Sequence, residues 1–250
     1  MRLTVIGTGS AGNCYAVHGD DGSVFLLDAG IPTRRVTAAL GDDLRRVVGC
    51  FVTHEHKDHS RAMTDLAARG IDVYASAGTM RKMGVDNGLL RRFKAVCAGS
   101  IIRAGEFTAV VFETKHDAEE PVGCLFRYEP TGETALYATD TFYLPNRFPS
   151  VNYWLVECNF VDELAIQQAD DGVISPELMI RLRTSHMSLR RLKEAFAAND
   201  LRATSKIVLL HLSDQRSDER RMTREITEQT GIETVAASEG EVISLTLTPF

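Results

Sequence analysis

The chain has 250 residues, 44% hydrophobic and 25% charged, with a formal charge of −6 at pH 7. That composition suits a soluble globular protein able to bury a full core as one compact domain over residues 1–250. It contains no run of about 18 apolar residues, which excludes a membrane-spanning helix, and its acidity argues against nucleic-acid binding by phosphate neutralisation alone.

The first half reads mostly as strands. Leu3 to Ile6, Cys14 to Val17 and Val24 to Leu27 are short apolar runs divided by glycine-rich and Asp-Gly turn signals. His18, before the turn Gly19-Asp20-Asp21-Gly22, reads as a surface or strand-end residue. Pro32 to Leu40 and Ser60 to Gly70 read as helices, the second with Ser60 as N-cap and Gly70 closing it. Val47 to Val52 is a buried strand, Ile71 to Ala75 another, and Ala77 to Met83 a short helix. Strands follow at Ile101-Ile102, Phe107 to Phe112, Gly123 to Tyr128, Thr134 to Ala138 and Tyr153 to Val156. Helices are expected over Asp162 to Ala169, Pro176 to Arg183, Ser188 to Ala198 and Glu219 to Thr230, with strands at Ile207 to Leu210 and Val242 to Leu247. Strands then helices, twice over, fits two sheets packed face to face with helices outside. The Met1 to Ile6 run is too short for a secretory signal, and five scattered cysteines without C-x-x-C pairing read as reduced thiols. Both point to the cytoplasm.

The chemistry concentrates in Thr53-His54-Glu55-His56-Lys57-Asp58-His59, directly after a buried strand. Imidazole and carboxylate are the usual ligands of zinc and also suit manganese or iron. His54 and His56, two apart on an extended loop, can point at one metal, and Asp58 and His59 turn toward a second. His116, Asp140 and His211 each follow a strand, where layered folds gather their sites. Taken singly they would be ordinary satisfied residues; together they could complete two metal shells, with one carboxylate bridging. Gly7, Gly9 and Gly12 match G-x-G-x-x-G after a strand, but no helix pattern follows Asn13, so a tight turn accounts for them better than a dinucleotide cradle. The basic clusters read as solvated faces, and the pair Arg190-Arg191 near His186 is the favoured phosphate contact.

The combined pattern resembles the metallo-β-lactamase superfamily: an H-x-H-x-D-H run, a lone histidine, a lone aspartate and a late histidine, in that order. Within it the chain is similar to the YycJ/WalJ-like branch, with RNase Z and PhnP-like phosphodiesterases nearby. Gly7-Thr8-Gly9-Ser10-Ala11-Gly12-Asn13 is similar to that branch's G-S-G-S-x-G-N opening. Glu157-Cys158-Asn159, Ser185-His186-Met187-Ser188 and His211-Leu212-Ser213 resemble its E-x-N, G-H-L-S and H-L-S segments, with Ser185 in place of the usual glycine. The resemblance implies an α/β four-layer αββα sandwich holding two divalent metals, zinc, manganese or iron. It implies His54, His56 and His116 on one metal, Asp58, His59 and His211 on the other, and Asp140 between them. Asp28, Glu157 and Asn159 would support these ligands, Asp58 and His186 would serve catalysis, and Ser188, Ser213 and Arg190 would meet substrate.

Two metals can polarise a phosphoryl oxygen for in-line attack, and His186 would protonate the leaving group. A structural role for His186 beside a Ser188 cap is the plainer alternative. The activity expected from the resemblance is hydrolysis of nucleic acid, as a 5′-directed DNA exonuclease. The alternative is hydrolysis of a small cyclic-nucleotide or nucleotide phosphodiester. Thioesterase or lactonase chemistry needs His186 less, and a non-catalytic metal-binding protein should lack ligands that are present here. Oligomeric state is not legible in the sequence.

Overall fold

The computed structural model describes residues 1–86 and 88–247. The chain divides into two compact units: Met1–Glu113, Ala118–Tyr137 and Ser238–Phe250 form the first, Thr114–Asp117 and Ala138–Ala237 the second. Among the described residues the strands make two mixed seven-stranded sheets.

The first unit carries one complete sheet. β1 (Arg2–Gly7), β2 (Cys14–His18) and β3 (Val24–Leu27) run as an antiparallel meander, with β14 (Val242–Ser244) on the outer side of β1. β4 (Val47–Phe51), β5 (Val73–Ser76) and β6 (Phe93–Val96) extend it in parallel from β3. Parallel strands need crossovers. α1 (Thr33–Leu40) links β3 to β4, α2 (Lys57–Ser60) and α3 (Met63–Ala68) link β4 to β5, and α4 (Ala77–Lys82) leads toward β6. The four-residue run Val24–Leu27 is buried on both faces, which is why it shows no polar alternation. Val24 and Leu26 join Val36, Leu40, Met63 and Leu66 in one core cluster. Phe25 faces the other way and stacks on Phe107 at 5.6 Å, with Phe126 at 6.3 Å. Those two rings come from a second, antiparallel set: β7 (Ile101–Ala104), β8 (Phe107–Glu113), β9 (Val122–Tyr128) and β10 (Glu133–Ala138). Each such buried ring contributes about 1.5–3 kcal/mol, so apolar packing is a main bond between helix, sheet and sheet.

The second unit holds parallel strands β11 (Tyr153–Glu157), β12 (Lys206–Leu210) and β13 (Glu233–Ala236) with α5 (Asp162–Asp170), α6 (Pro176–Ser185), α7 (Leu189–Ala198) and α8 (Glu219–Thr230). Three of its helices begin at side-chain caps. Ser175 accepts from Leu178 N ahead of Pro176, Ser188 from Arg191 N, and Asp218 from Arg221 N. Buried Trp154 of β11 meets Phe196 of α7 at 5.3 Å and Phe148 at 6.0 Å, and its indole N–H donates to Thr204 Oγ1.

Four local expectations need correction. Ser60 does not cap a helix: it closes α2, and its hydroxyl donates back to the Glu55 and His56 carbonyls. The break between α2 and α3 lets the histidine loop turn before the helix proper begins. His18 ends β2 but is buried, its ring between Thr4 Oγ1 (3.1 Å) and Arg2 (3.2 Å). β6 and β13 were not expected, because Phe93-Lys94-Ala95-Val96 and Glu233-Thr234-Val235-Ala236 are short and broken by polar residues. β14 stops at Ser244. All five cysteines are free, and only Cys97 is exposed. Among the described residues no helix is long and apolar enough to cross a membrane.

Candidate metal centre

In the first unit the motif loop leaves the C-terminal end of β4. His54 and His59 are buried, His56 and Asp58 half-buried. The His54 ring lies 4.6 Å from that of His56 and 4.3 Å from that of His59. Asp28, at the end of β3, organises them. Its fully buried carboxylate accepts from Thr53 N (2.8 Å), Thr53 Oγ1 (3.0 Å), Tyr137 Oη (2.6 Å) and His59 Nδ1 (2.7 Å). A buried carboxylate is tolerable only with such donors. Thr53 gives its proton to Asp28, so it accepts from His54 Nδ1 at 3.0 Å. Both imidazoles are thereby held as Nδ1–H tautomers with Nε2 as the acceptor nitrogen, the usual second-sphere arrangement of metal-binding histidines.

The glycines explain themselves through the same loop. A Cβ on Gly30 would lie 1.7 Å from the Asp58 carbonyl oxygen, and one on Gly12 would lie 2.5 Å from Gly30 O. The backbones are laced by Asn13 N to Asp58 O (2.7 Å), Ala29 N to His59 O (2.7 Å) and Gly30 N to Asn13 O (2.8 Å). The glycine-rich opening is therefore a bed for the Asp58-His59 backbone. Sequence reasoning missed Asn13, whose buried amide donates to His59 Nε2 (3.1 Å) while its oxygen accepts from Gly9 N and Tyr15 Oη. Its place at the end of the glycine run was the available signal. Glu55, inside the motif, serves another neighbour: it accepts from Glu119 N at 2.8 Å.

In the second unit three strand ends converge. Asp140 follows β10, Glu157 ends β11 and His211 follows β12. His211 Nδ1 lies 2.9 Å from Asp140 Oδ1 and 3.2 Å from Glu157 Oε1, and His116 Nε2 lies 3.4 Å from Asp140 Oδ2. His116 Nδ1 donates to the Ser185 carbonyl at 2.7 Å. Glu157 is the hub here: it takes His186 Nδ1 at 2.6 Å, Thr141 N at 3.0 Å and Met187 N at 3.1 Å. Donor atoms of Asp140, Glu157, His186 and His211 all lie within 4.8 Å of one another. Asn159 donates to His211 O and to Met187 O, tying the two histidine segments together.

Electrostatics follow from this crowding. Burial pulls the His211 pKa down, but the charges and hydrogen bonds of Asp140 and Glu157 outweigh it and push it up to about 10. Burial likewise opposes the charge on His186, yet Glu157 raises its pKa. In His116 burial prevails and lowers it. Burial would raise the Glu157 pKa; the His186 charge and the hydrogen bonds of both histidines bring it below the ordinary value. Buried carboxylates that draw a proton onto a wholly buried imidazole call for cationic charge, and the nitrogen and oxygen donors fit zinc, manganese or iron. Among the described residues four non-glycine residues have positive φ, and three are Asp28 (59°), Asp140 (46°) and His211 (53°). Such strain collects at functional sites.

The candidate substrate contacts lie otherwise. Ser188 is buried as the α7 cap, and Ser213 donates its backbone N–H to Asn159 O. Arg190 is held by Glu194 (2.9 Å) and Asp162 (3.5 Å), and Arg191 by the Phe142 and Arg183 carbonyls.

A family model described as a beta-lactamase superfamily domain matches residues 24–212. An exodeoxyribonuclease YycJ of Bacillus anthracis is 28% identical over 157 residues, covering 60% of this chain and 58% of that protein. The metallo-β-lactamase fold protein YhfI of Bacillus subtilis superposes with a TM-score of 0.74 at 17% identity, over 96% of this chain and 98% of that one. Zinc-bound PqqB of Methylobacterium extorquens gives 0.72 at 12% identity, over 98% and 100%. The likeness in fold extends to human short-form tRNase Z (0.63, 15% identity, 99% and 100%) and a diphosphatase of the PhnP family (0.65, 16% identity, 97% and 97%). The four-layer expectation therefore holds: the chain belongs to the metallo-β-lactamase superfamily, as a metallohydrolase with a metal site of histidine and aspartate.

Proposed function

We propose that this protein is a two-metal phosphodiesterase acting on nucleic acid, as a 5′-directed DNA exonuclease. The reading assigns His54, His56 and His116 to one metal, Asp58, His59 and His211 to the other, and Asp140 to both. When bound, two divalent metals, zinc or manganese, supply Lewis-acid polarisation of a phosphoryl oxygen and an activated water.

The observation that carries the reading is the Glu157–His186 pair. His186 has no strand-end ligand position, remains part-exposed, and is gripped through Nδ1 by a wholly buried carboxylate at 2.6 Å. That bond fixes the ring, leaves Nε2 for the reacting group and favours the protonated form. Phosphodiester cleavage expels an alkoxide that needs a proton, and an oriented imidazolium supplies it, an effect of about 10²–10⁴-fold. Thioesters expel a thiolate, which needs that proton less. DNA as substrate is supported by the likeness to the bacterial exodeoxyribonuclease, and a cytoplasmic setting by five free thiols.

The test is digestion of 5′-labelled single- and double-stranded DNA by metal-stripped protein reloaded with Mn²⁺ or Zn²⁺. Mononucleotide release that His186→Ala and Asp58→Ala both abolish supports the reading. Cleavage of bis-p-nitrophenyl phosphate without release from DNA or RNA moves the substrate to a small phosphodiester.

A further inference from the structure

Beside Asp58 the first unit holds a cavity of about 680 Å³, lined by Ser10, Ala11, Lys57, Asp58, Arg61 and Met83. Lys57 and Arg61 are four residues apart, and Arg61 N donates to Lys57 O at 3.2 Å, so one helical turn sets both side chains on the same face. Both are exposed, and among the described residues neither cation has a carboxylate partner within ion-pairing distance. Like charges at this spacing repel. The arrangement also runs against the chain's net charge of −6.

Three cations of the second unit are committed elsewhere. Arg190 is held by Glu194 and Asp162, Lys193 by Glu225, and Arg221 by Glu163 and Glu225. A phosphate would have to displace a carboxylate from each. At Lys57 and Arg61 it displaces nothing, and it arrives next to a carboxylate assigned to the metal centre. The cavity is within the size range of nucleotide-sized ligands.

We infer that this cavity is a subsite for the nucleic-acid strand flanking the scissile phosphodiester, with Lys57 and Arg61 gripping a neighbouring phosphate. The inference rests on the nuclease reading and names the groups that make a strand a better substrate than an isolated diester. Lys57 and Arg61 are positioning residues: they add binding energy remote from the reacting atoms.

The test uses metal-loaded protein and the variants Lys57→Gln, Arg61→Gln and their combination. Arg69→Gln, at the end of α3 and away from the cavity lining, serves as control. Three quantities are read: Kd for a phosphorothioate single-stranded oligonucleotide across a salt series, KM and kcat on the cleavable oligonucleotide, and kcat/KM on bis-p-nitrophenyl phosphate. The double variant should weaken oligonucleotide binding at least tenfold, chiefly in KM. Its salt slope should fall by about 1.4, the value for two lost single-strand phosphate contacts. The loss on the oligonucleotide should exceed any loss on the small diester at least tenfold, and Arg69→Gln should match wild type. An unchanged Kd and salt slope, or equal losses on both substrates, would overturn the subsite while leaving the nuclease reading intact. Wild-type protein that binds the oligonucleotide through these cations without cleaving it would overturn the nuclease reading and keep the subsite. A wild type that neither binds nor cleaves it would overturn both.

Discussion

Replacing Glu157 by glutamine isolates the acid-positioning role of the second unit's hub. The side chain keeps its shape but loses its charge and one acceptor oxygen. The remaining oxygen can serve Thr141 N and Met187 N, which the carboxylate now holds at 3.0 and 3.1 Å. The new amide then faces Nδ1 of His186 and His211, present at 2.6 and 3.2 Å. It can only donate, so His186 must turn its Nδ1 into an acceptor and carry its proton on Nε2 when neutral. The charge that raises the His186 pKa disappears while burial, which lowers it, stays. Loss of orientation and of the acid form should reduce kcat on an oligonucleotide about 10²–10³-fold, close to 3–4 kcal/mol. Metal affinity should fall by about 10–100-fold through His211, so rates are compared at saturating metal with bound metal measured directly. Histidine ¹⁵N shifts report the tautomer independently of turnover. A kcat within threefold of wild type at full metal content would refute the assigned role of the Glu157–His186 pair.

Asp28→Asn should lower the unfolding free energy of the metal-stripped protein by about 3–5 kcal/mol in urea titrations, since four donors lose a buried charged acceptor. Gly30→Ala should cost more than about 3 kcal/mol, because its Cβ would lie 1.7 Å from the Asp58 carbonyl oxygen; a thermal midpoint equal to wild type would contradict that packing. His18 has a pKa lowered by burial and then by Arg2, so below about pH 6.5 the unfolded chain binds more protons than the folded one. The stability tied to neutral His18 is full above that pH and is lost as pH falls toward the folded value, and His18→Gln should flatten this acid limb in denaturant titrations. Metal binding should release protons near pH 8, since the His211 pKa stands at about 10 beforehand; calorimetry in buffers of different ionisation heat measures the count.

The candidate metal donors are legible because metal chemistry restricts residue type and the motif loop compresses four donors into six positions. Their support was less so. That Asp28 and Glu157 are hubs follows from which donors the fold aims at them, and long-range pairs such as Tyr137 with Asp28 leave no local signature. Left-handed backbone at Asp28, Asp140 and His211 is invisible in a chain where glycine marks most such positions. Helix starts at Ser175 and Asp218 follow from capping chemistry, whereas Ser60 misleads because its hydroxyl bonds backward into the histidine loop. Edge strands β6 and β13 bury only alternate or terminal side chains, so their patterns resemble connecting segments. Arg190 illustrates the opposite failure: its charge is plain in the sequence, but its carboxylate partners are not.

The distribution of thiols turns the molecule into its own unfolding gauge. Cys97 alone meets reagent in the folded state, and burial raises the pKa of Cys14, Cys50, Cys124 and Cys158. Modification of those four therefore waits on an opening event. Cys14, Cys50 and Cys124 belong to the first unit and Cys158 to the second. Pulsed alkylation followed by peptide mass mapping reads two opening free energies from one tube, with Cys97 as the internal standard for reagent. Equal protection would mean that the units open together; earlier labelling of Cys158 would mean that Asp140, Glu157, His186 and His211 belong to the part that opens first.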